Sequence, residues 1–303
     1  MFRLTFLILP LLLVLAGCTE PSATGFVTGA SDHALGERTF RVYRPSSLPA
    51  GQRVPLVLVL HGGAGSGAQA EKAYGWDTTA DGNGFVVAYP DGVGRSWNAG
   101  PGCCGRAARD GADDVGFLED VVEAVSGGVP IDPARVFVTG MSNGAMMTYR
   151  LACESTLFRA VAPVAGTLIG DCPAPAPVSL LHIHGTADRS VPWAGGPGRQ
   201  DNGGTGRVPV RIDGPPITEV TDAWRRRAGC AAFTEQTADP VTRRTATCPG
   251  GRTVELISVT GAGHQWPGAV PESRAVTGIL SLDPPSGALD ATATIWSFFA
   301  GSR

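Results

Sequence analysis

The chain has little charge and few aromatic side chains: of its 303 residues, 17% are Asp, Glu, Lys or Arg and 7% are Phe, Trp or Tyr. It has no surplus of cations, because 24 Lys and Arg face 27 Asp and Glu for a net charge of −3. Phosphate backbones are held by clustered cations, so nucleic acid is excluded as the expected partner. The one dense triplet, Arg225, Arg226 and Arg227, reads as the wet face of a helix. No G-X-Y period or repeated block is present, which removes collagen and solenoid architectures. No apolar run reaches the ~20 residues that a bilayer-spanning helix needs. No C-x-x-C or closely spaced Cys/His set occurs, so no metal site is expected. What remains is a chain that is 43% hydrophobic, with 42 Gly and 24 Pro, which points to one loop-rich globular domain with a large core.

Met1, Phe2 and Arg3 precede an apolar run from Leu4 to Ala16, a length that suits a secretory signal. The run ends in Leu15-Ala16-Gly17-Cys18, which resembles a bacterial lipobox and implies that Cys18 is lipidated and becomes the mature N-terminus. The other reading is an ordinary signal peptide with Cys18 left as a spare thiol. Residues 1–17 are thus expected to be a lipoprotein signal peptide and 18–30 a small, polar tether. Residues 31–303 are expected to form a single domain, exported and either anchored at the cell surface or secreted. Cys103, Cys104, Cys153, Cys172, Cys230 and Cys248 remain, an even number in an oxidising compartment, so three disulfides are expected. Cys230 and Cys248 bracket a local segment and should pair. Joining Cys103 to Cys104 would close a strained ring, so these two are expected to pair with Cys153 and Cys172.

Short β-branched runs alternate with helical patterns. Residues 39–43, 55–60, 85–89, 135–139, 160–164, 179–184 and 253–259 read as strands, several of them apolar throughout, as strands covered on both faces must be. Residues 114–125, 144–152, 219–227 and 289–299 read as helices, the first capped by Asp113 or Asp114 and carrying Val115, Leu118, Val121, Val122 and Val125 at helical spacing. The alternation implies an α/β fold, a mostly parallel sheet flanked by helices, with chemistry in the loops after the strands. The Gly- and Pro-rich stretch 195–216 is too long for a simple connection and reads as a flap or a decorated surface loop.

The strand at 135–139 runs directly into Gly140-Met141-Ser142-Asn143-Gly144 and then a helical segment. A serine on such a strand-to-helix turn needs small residues two positions away on either side, and the turn exposes its Oγ as a nucleophile. It also needs a base, an orienting acid and an oxyanion hole. His61-Gly62-Gly63 follows the strand at 55–60, so the N–H of Gly63, or else that of Ala64, and the N–H of Asn143 are the expected oxyanion donors, with His61 bracing the loop. Asp188 follows the strand at 179–184 through a short turn and is the expected acid, whereas Asp171 and Asp201 sit in surface loops and Glu219 and Asp222 suit a helix start. His264, in a glycine-rich loop after the strand at 253–259, is the expected base. His182 and His184 share one strand face but have no third ligand nearby, and they read as core or bracing histidines. His33 has no context. Trp97, Trp193 and Trp266 adjoin these loops and are candidates to line the substrate pocket.

The combination Leu60-His61-Gly62-Gly63, Ser96-Trp97-Asn98, Cys103-Cys104-Gly105, Asp113 to Phe117, Gly140 to Gly144, His184-Gly185-Thr186-Ala187-Asp188 and Gly263 to Gly268 resembles the secreted esterases of the polyhydroxybutyrate depolymerase and feruloyl esterase group, including the LpqC-type lipoproteins. The resemblance spans nearly all of the chain after the tether. It implies an α/β-hydrolase fold with a Ser142, Asp188, His264 triad, acting without cofactor or metal on feruloyl-type or short hydroxyalkanoate esters. The family usually has a second glycine after Ser-Asn-Gly, where this chain has Ala145. A monomer attached to the membrane only through its lipid is expected. Two other readings stand beside the esterase: an envelope acyltransferase on the same fold, and a surface lipoprotein that binds without catalysis.

Overall fold

The computed structural model describes residues 26–49, 51–198, 212–271, 273, 277 and 282–302. Two half-exposed strands, β1 (Gly29–Leu35) and β2 (Arg38–Arg44), precede β3 (Val54–Leu60), which is buried at every position. Helices α1 (Gly67–Tyr74) and α2 (Trp76–Asn83) lead to β4 (Val86–Pro90), and the short α3 (Gly105–Arg109) and longer α4 (Asp114–Gly128) lead to β5 (Ile131–Met141). Then come α5 (Asn143–Glu154), β6 (Ala160–Val164), β7 (Ser179–Gly185) and the two-residue ribbon β8 (Gly196–Pro197) and β9 (Asp213–Gly214). Helix α6 (Ile217–Arg227), strands β10 (Thr234–Ala238), β11 (Val241–Thr247) and β12 (Thr253–Val259), and helix α7 (Ala291–Gly301) complete the chain.

Among the described residues the main sheet has ten strands in the order β1-β2-β4-β3-β5-β6-β7-β12-β11-β10. The central strands from β4 to β12 pair in parallel, and antiparallel pairs close both edges. Because side chains alternate along a strand, β3 feeds two cores. Leu56, Leu58 and Leu60 belong to a core shared with Leu118, Val121 and Val125 of α4, Met147 and Leu151 of α5, and Trp224 of α6. Val57 and Val59 meet Tyr74 and Trp76 on the other face, with Ile295 and Phe299 of α7. The chain leaves β3 for β4 on one side and later enters β5 on the other, so the sheet order reverses at β3 and β5. A crevice at the carboxyl ends of those strands is where α/β sheets place their sites.

Two features depart from the sequence expectations. The signal segment, Cys18 and most of the tether lie outside the described residues, but Phe26 is buried against the ring of Phe40 and Gly29 already belongs to β1, so the folded domain begins before residue 31. Cys230 pairs with Cys248 as expected, whereas Cys103 is joined to Cys104 and Cys153 to Cys172. Helix α5 is the reason. Cys103 packs 3.6 Å from Met146 in the first turns of that helix, while Cys153 stands in its last turn, about 10 Å further along the axis. Ala176 donates its N–H to Ala152 O at 2.9 Å, carrying the segment after β6 to the helix end, and leaves Cys172 only 5.7 Å from Cys153 between Cα atoms. That separation suits a bridge. Of the two expected caps of α4, Asp113 serves by accepting the Gly116 N–H at 2.9 Å, while Asp114 is fully buried, paired with Arg38 at 2.7 Å and accepting the Asn98 N–H.

Candidate active site

Ser142 lies between the end of β5 and the start of α5, with φ 56° and ψ −118°. A positive φ is unfavourable for a residue with a side chain, at a cost of about 1–3 kcal/mol, and persists only where its surroundings dictate it. Here the Ser142 N–H donates to Val164 O on β6 at 2.9 Å, and its carbonyl accepts the Met146 N–H at 3.0 Å. The glycines on either side are required by crowding. A Cβ on Gly144 would lie 2.5 Å from Leu60 O, and one on Gly140 would lie 2.6 Å from the Gly144 carbonyl. Ala145, the departure from the family pattern, fits because residue 166 is glycine: a Cβ there would stand 2.5 Å from the Ala145 methyl.

Three strand ends converge on this turn. His264, after β12, has Nε2 at 2.9 Å from Ser142 Oγ and Nδ1 at 2.8 Å from Asp188 Oδ2, after β7. A carboxylate can only accept, so Nδ1 carries the proton and Nε2 is left to accept from the serine hydroxyl. Asp188 is itself held in place: the N–H groups of Ser190 and Val191 both donate to its Oδ1 at 2.8 Å. Burial alone would depress the His264 pKa, but the Asp188 charge and hydrogen bond, with a further contribution from Asp283, outweigh it and raise the pKa above its ordinary value. Burial acts to raise the Asp188 pKa, and the charge and hydrogen bond of His264 reverse this, holding it below the usual carboxylate range.

The loop after β3 lies against the serine. A Cβ on Gly62 would be 3.5 Å from Ser142 Cβ, and Gly63 shares a small cavity with Ser142, His264, Tyr74, Met141 and Leu282. The Ala64 N–H, the alternative oxyanion donor of that loop, is committed to Arg95 O at 2.9 Å. Asn143 spends its side chain on the neighbouring loop: its Oδ1 accepts the Trp97 N–H at 2.6 Å and its Nδ2 donates to Trp97 O at 3.0 Å. Its backbone N–H, in the first turn of α5, has no acceptor within the helix. His61 braces the loop, with Nδ1 donating to Gly62 O at 2.7 Å and Nε2 accepting the Gly92 N–H at 3.0 Å; burial lowers its pKa to about 4, so it stays neutral.

The three tryptophans divide. Trp97 is fully buried, its indole N–H given to His61 O at 2.9 Å, so it pins the loop rather than lining a pocket. Trp193 is half-buried near His184, with ring centroids 6.1 Å apart, and has no place in the walls of the cavities at Ser142. Trp266 stacks on Tyr74 at 4.4 Å and lines an apolar cavity adjoining the serine, with Met141, Ala73, Val270 and Leu282. The ring nitrogens of His182 and His184 are all engaged. Tyr149 donates to His182 Nδ1 at 2.7 Å, His182 Nε2 donates to His184 Nδ1 at 2.9 Å, and His184 Nε2 donates to Val191 O at 2.8 Å, 3.4 Å from Asp188 Oδ2. The direction follows from the two ends, a hydroxyl that donates and a carbonyl that accepts. Of the other acids considered, Asp171 is exposed, Asp222 is paired with Arg225 and Arg226, and Asp201 lies outside the described residues.

Among the residues that escaped the sequence reading, with Tyr74 and Leu282 of the cavity wall, is one that touches the histidine. Asp283 accepts the His264 N–H at 2.7 Å and gives its own N–H to His264 O at 2.9 Å. It lies nineteen positions beyond the histidine in sequence and in no motif, so only the folded chain reveals it.

The family described as esterase PHB depolymerase matches residues 38–196. Among curated relatives, the protein of Nocardia uniformis subsp. tsuyamanensis named as esterase NocK is 34% identical over 276 residues, covering 83% of this chain and 78% of its own. Feruloyl esterase B of Piromyces equi is 29% identical over 237 residues, 73% of this chain and 41% of its own length. Among solved structures, an acetyl xylan esterase from Aspergillus awamori superposes with a TM-score of 0.59 at 17% identity, covering 84% of this chain and 99% of that one, a likeness of fold.

Proposed function

Because the chain belongs to the esterase PHB depolymerase family, we propose that it is an exported serine esterase that cleaves carboxylic esters through an acyl-enzyme. The observation that carries this reading is the unbroken line of hydrogen bonds from Ser142 Oγ through His264 to Asp188, at 2.9 and 2.8 Å. Ser142 attacks the ester carbonyl while His264 Nε2 takes its proton, and Asp188 stabilises the imidazolium that forms. The N–H groups of Gly63 and Asn143 receive the oxyanion. His264 returns the proton to the leaving alkoxide, and water, activated by the same imidazole, then releases the acid. A small apolar cavity walled by Tyr74, Met141, Trp266 and Leu282 adjoins the serine. Attachment through lipidated Cys18 is part of the proposal, supported by the leader sequence and by disulfides that suit an oxidising compartment. In this reading the enzyme works as a monomer without cofactor.

The natural acyl group is feruloyl-type or a short hydroxyalkanoate. Comparing kcat/KM for methyl ferulate and p-nitrophenyl butyrate on the mature, oxidised domain tests the proposal. Turnover of at least one ester is expected, a preference for ferulate favouring aromatic acyl groups and a preference for butyrate aliphatic ones. Turnover of neither contradicts the esterase reading, and product formed only when an acceptor alcohol is supplied favours the acyltransferase.

A pH profile carries a second expectation. The base must be neutral to accept the serine proton, so activity falls as pH drops through the His264 pKa. Since that pKa is raised, the acid limb of kcat/KM should have its midpoint above the ~6.5 of an unperturbed histidine. A midpoint at or below that value contradicts the pairing with Asp188 as the dominant influence.

A further inference from the structure

We propose that Asp283 positions the base of this site: its carboxylate anchors the backbone of His264 so that the imidazole stays between Ser142 and Asp188. The inference rests on the reading of His264 as base. The histidine sits in a loop after β12 whose neighbours Gly261, Gly263 and Gly268 give it little stiffness of its own. Asp283 supplies the missing constraint: its carboxylate accepts the His264 N–H at 2.7 Å, and its own N–H donates to His264 O at 2.9 Å. The fit is close, for any side chain on Gly263 would run into the Asp283 carboxylate. The adjacent Leu282 forms part of the cavity wall at Ser142, so one short segment both lines the site and holds its base.

The charge of Asp283 has its own consequence. The groups facing His264 are Asp188 at Nδ1, Ser142 at Nε2, His184 behind Asp188 at 3.4 Å, and Asp283 at the backbone. Of these, only the two aspartates carry negative charge, and both favour the imidazolium that forms as Ser142 gives up its proton. A residue that merely filled a turn would need the shape of Asp283 and not its charge.

The test uses Asp283→Ala, which removes the anchor, and Asp283→Asn, which keeps an acceptor of the same shape and removes the charge, each assayed with p-nitrophenyl butyrate across pH, with Ser142→Ala alongside. Asp283→Ala should lower kcat about 10- to 100-fold while KM changes little, as displacement of a reacting group does. Asp283→Asn should recover most of that kcat and move the acid-limb midpoint to lower pH. Parent-like kcat in Asp283→Ala, or an unmoved midpoint in Asp283→Asn, overturns the proposal; if the alanine variant does not fold, the midpoint in the asparagine variant decides. If Ser142→Ala retains parent activity, the reading of the whole site falls and this inference with it. If Ser142→Ala is inactive and both Asp283 variants match the parent, only the role of Asp283 falls.

Discussion

Replacing Ser142 with alanine is expected to lower kcat for p-nitrophenyl butyrate by about a million-fold, to the slow turnover that the oxyanion donors alone sustain. The expectation rests on how little else in the site could serve. Ser142 Oγ has the one neutral imidazole nitrogen at 2.9 Å. The strained φ of 56° at this residue presents Oγ to the cavity formed with Gly63, His264 and Leu282. The substitution removes one oxygen from a backbone fixed by Val164 and by the close contacts of Gly140 and Gly144, so the thermal midpoint should stay near that of the parent. Steady-state kinetics beside a melting curve check both parts. Substantial activity in a folded Ser142→Ala protein would remove the nucleophile from the account.

Asp188→Asn should cost about 10,000-fold in kcat near neutral pH. The amide is nearly the same size as the carboxylate, so the loss comes from protons and charge. In the parent, Asp188 Oδ2 accepts from His264 Nδ1 while Oδ1 accepts from Ser190 and Val191. Those two backbone donors require an oxygen at the Oδ1 position, which turns the Nδ2 of the asparagine toward His264. The imidazole then accepts at Nδ1 and carries its proton on Nε2, where it can no longer take one from Ser142. The imidazolium also loses its buried counter-charge. The acid limb of the remaining activity should therefore move to lower pH, the direction required when a negative charge is removed from beside the histidine. A loss of less than about tenfold, with the limb unmoved, would mean that another carboxylate orients the base.

Much of this was legible before any coordinates, and the reasons are local. The β6 boundaries match the sequence reading because a parallel strand covered on both faces must be apolar at nearly every position, and those of β12 match because its buried Val254, Leu256, Ile257 and Val259 stand among half-buried polar residues in a β-branched run. The meeting of Ser142, Asp188 and His264 was readable because each follows a strand of the parallel set by a few residues, and parallel strands bring their carboxyl ends to one side of the sheet. Strand β10 escaped because all five of its residues are exposed, so it has no alternation to read. Helices α1 and α2 are only eight residues each and interrupted by Gly75 in the left-handed region, too short for an apolar stripe to repeat. The cysteine pairing and the fate of Trp97 depended on which ends of α5 face which loops, a distance in space with no sequence signature. Asp283 belongs to the same class, since its contribution runs through backbone atoms of a residue far away in sequence.

The central claim is that Ser142 is a nucleophile made reactive by His264, and covalent labelling tests it most directly. The mature, oxidised domain would be treated with a p-nitrophenyl alkylphosphonate, and the adduct located by intact-mass measurement and peptide mapping, with Ser142→Ala and His264→Ala treated in parallel. The account predicts one phosphonyl group per chain, placed on Ser142, absent from the Ser142→Ala protein and formed far more slowly in His264→Ala. A label on any other residue, or none on a folded parent protein, would contradict it.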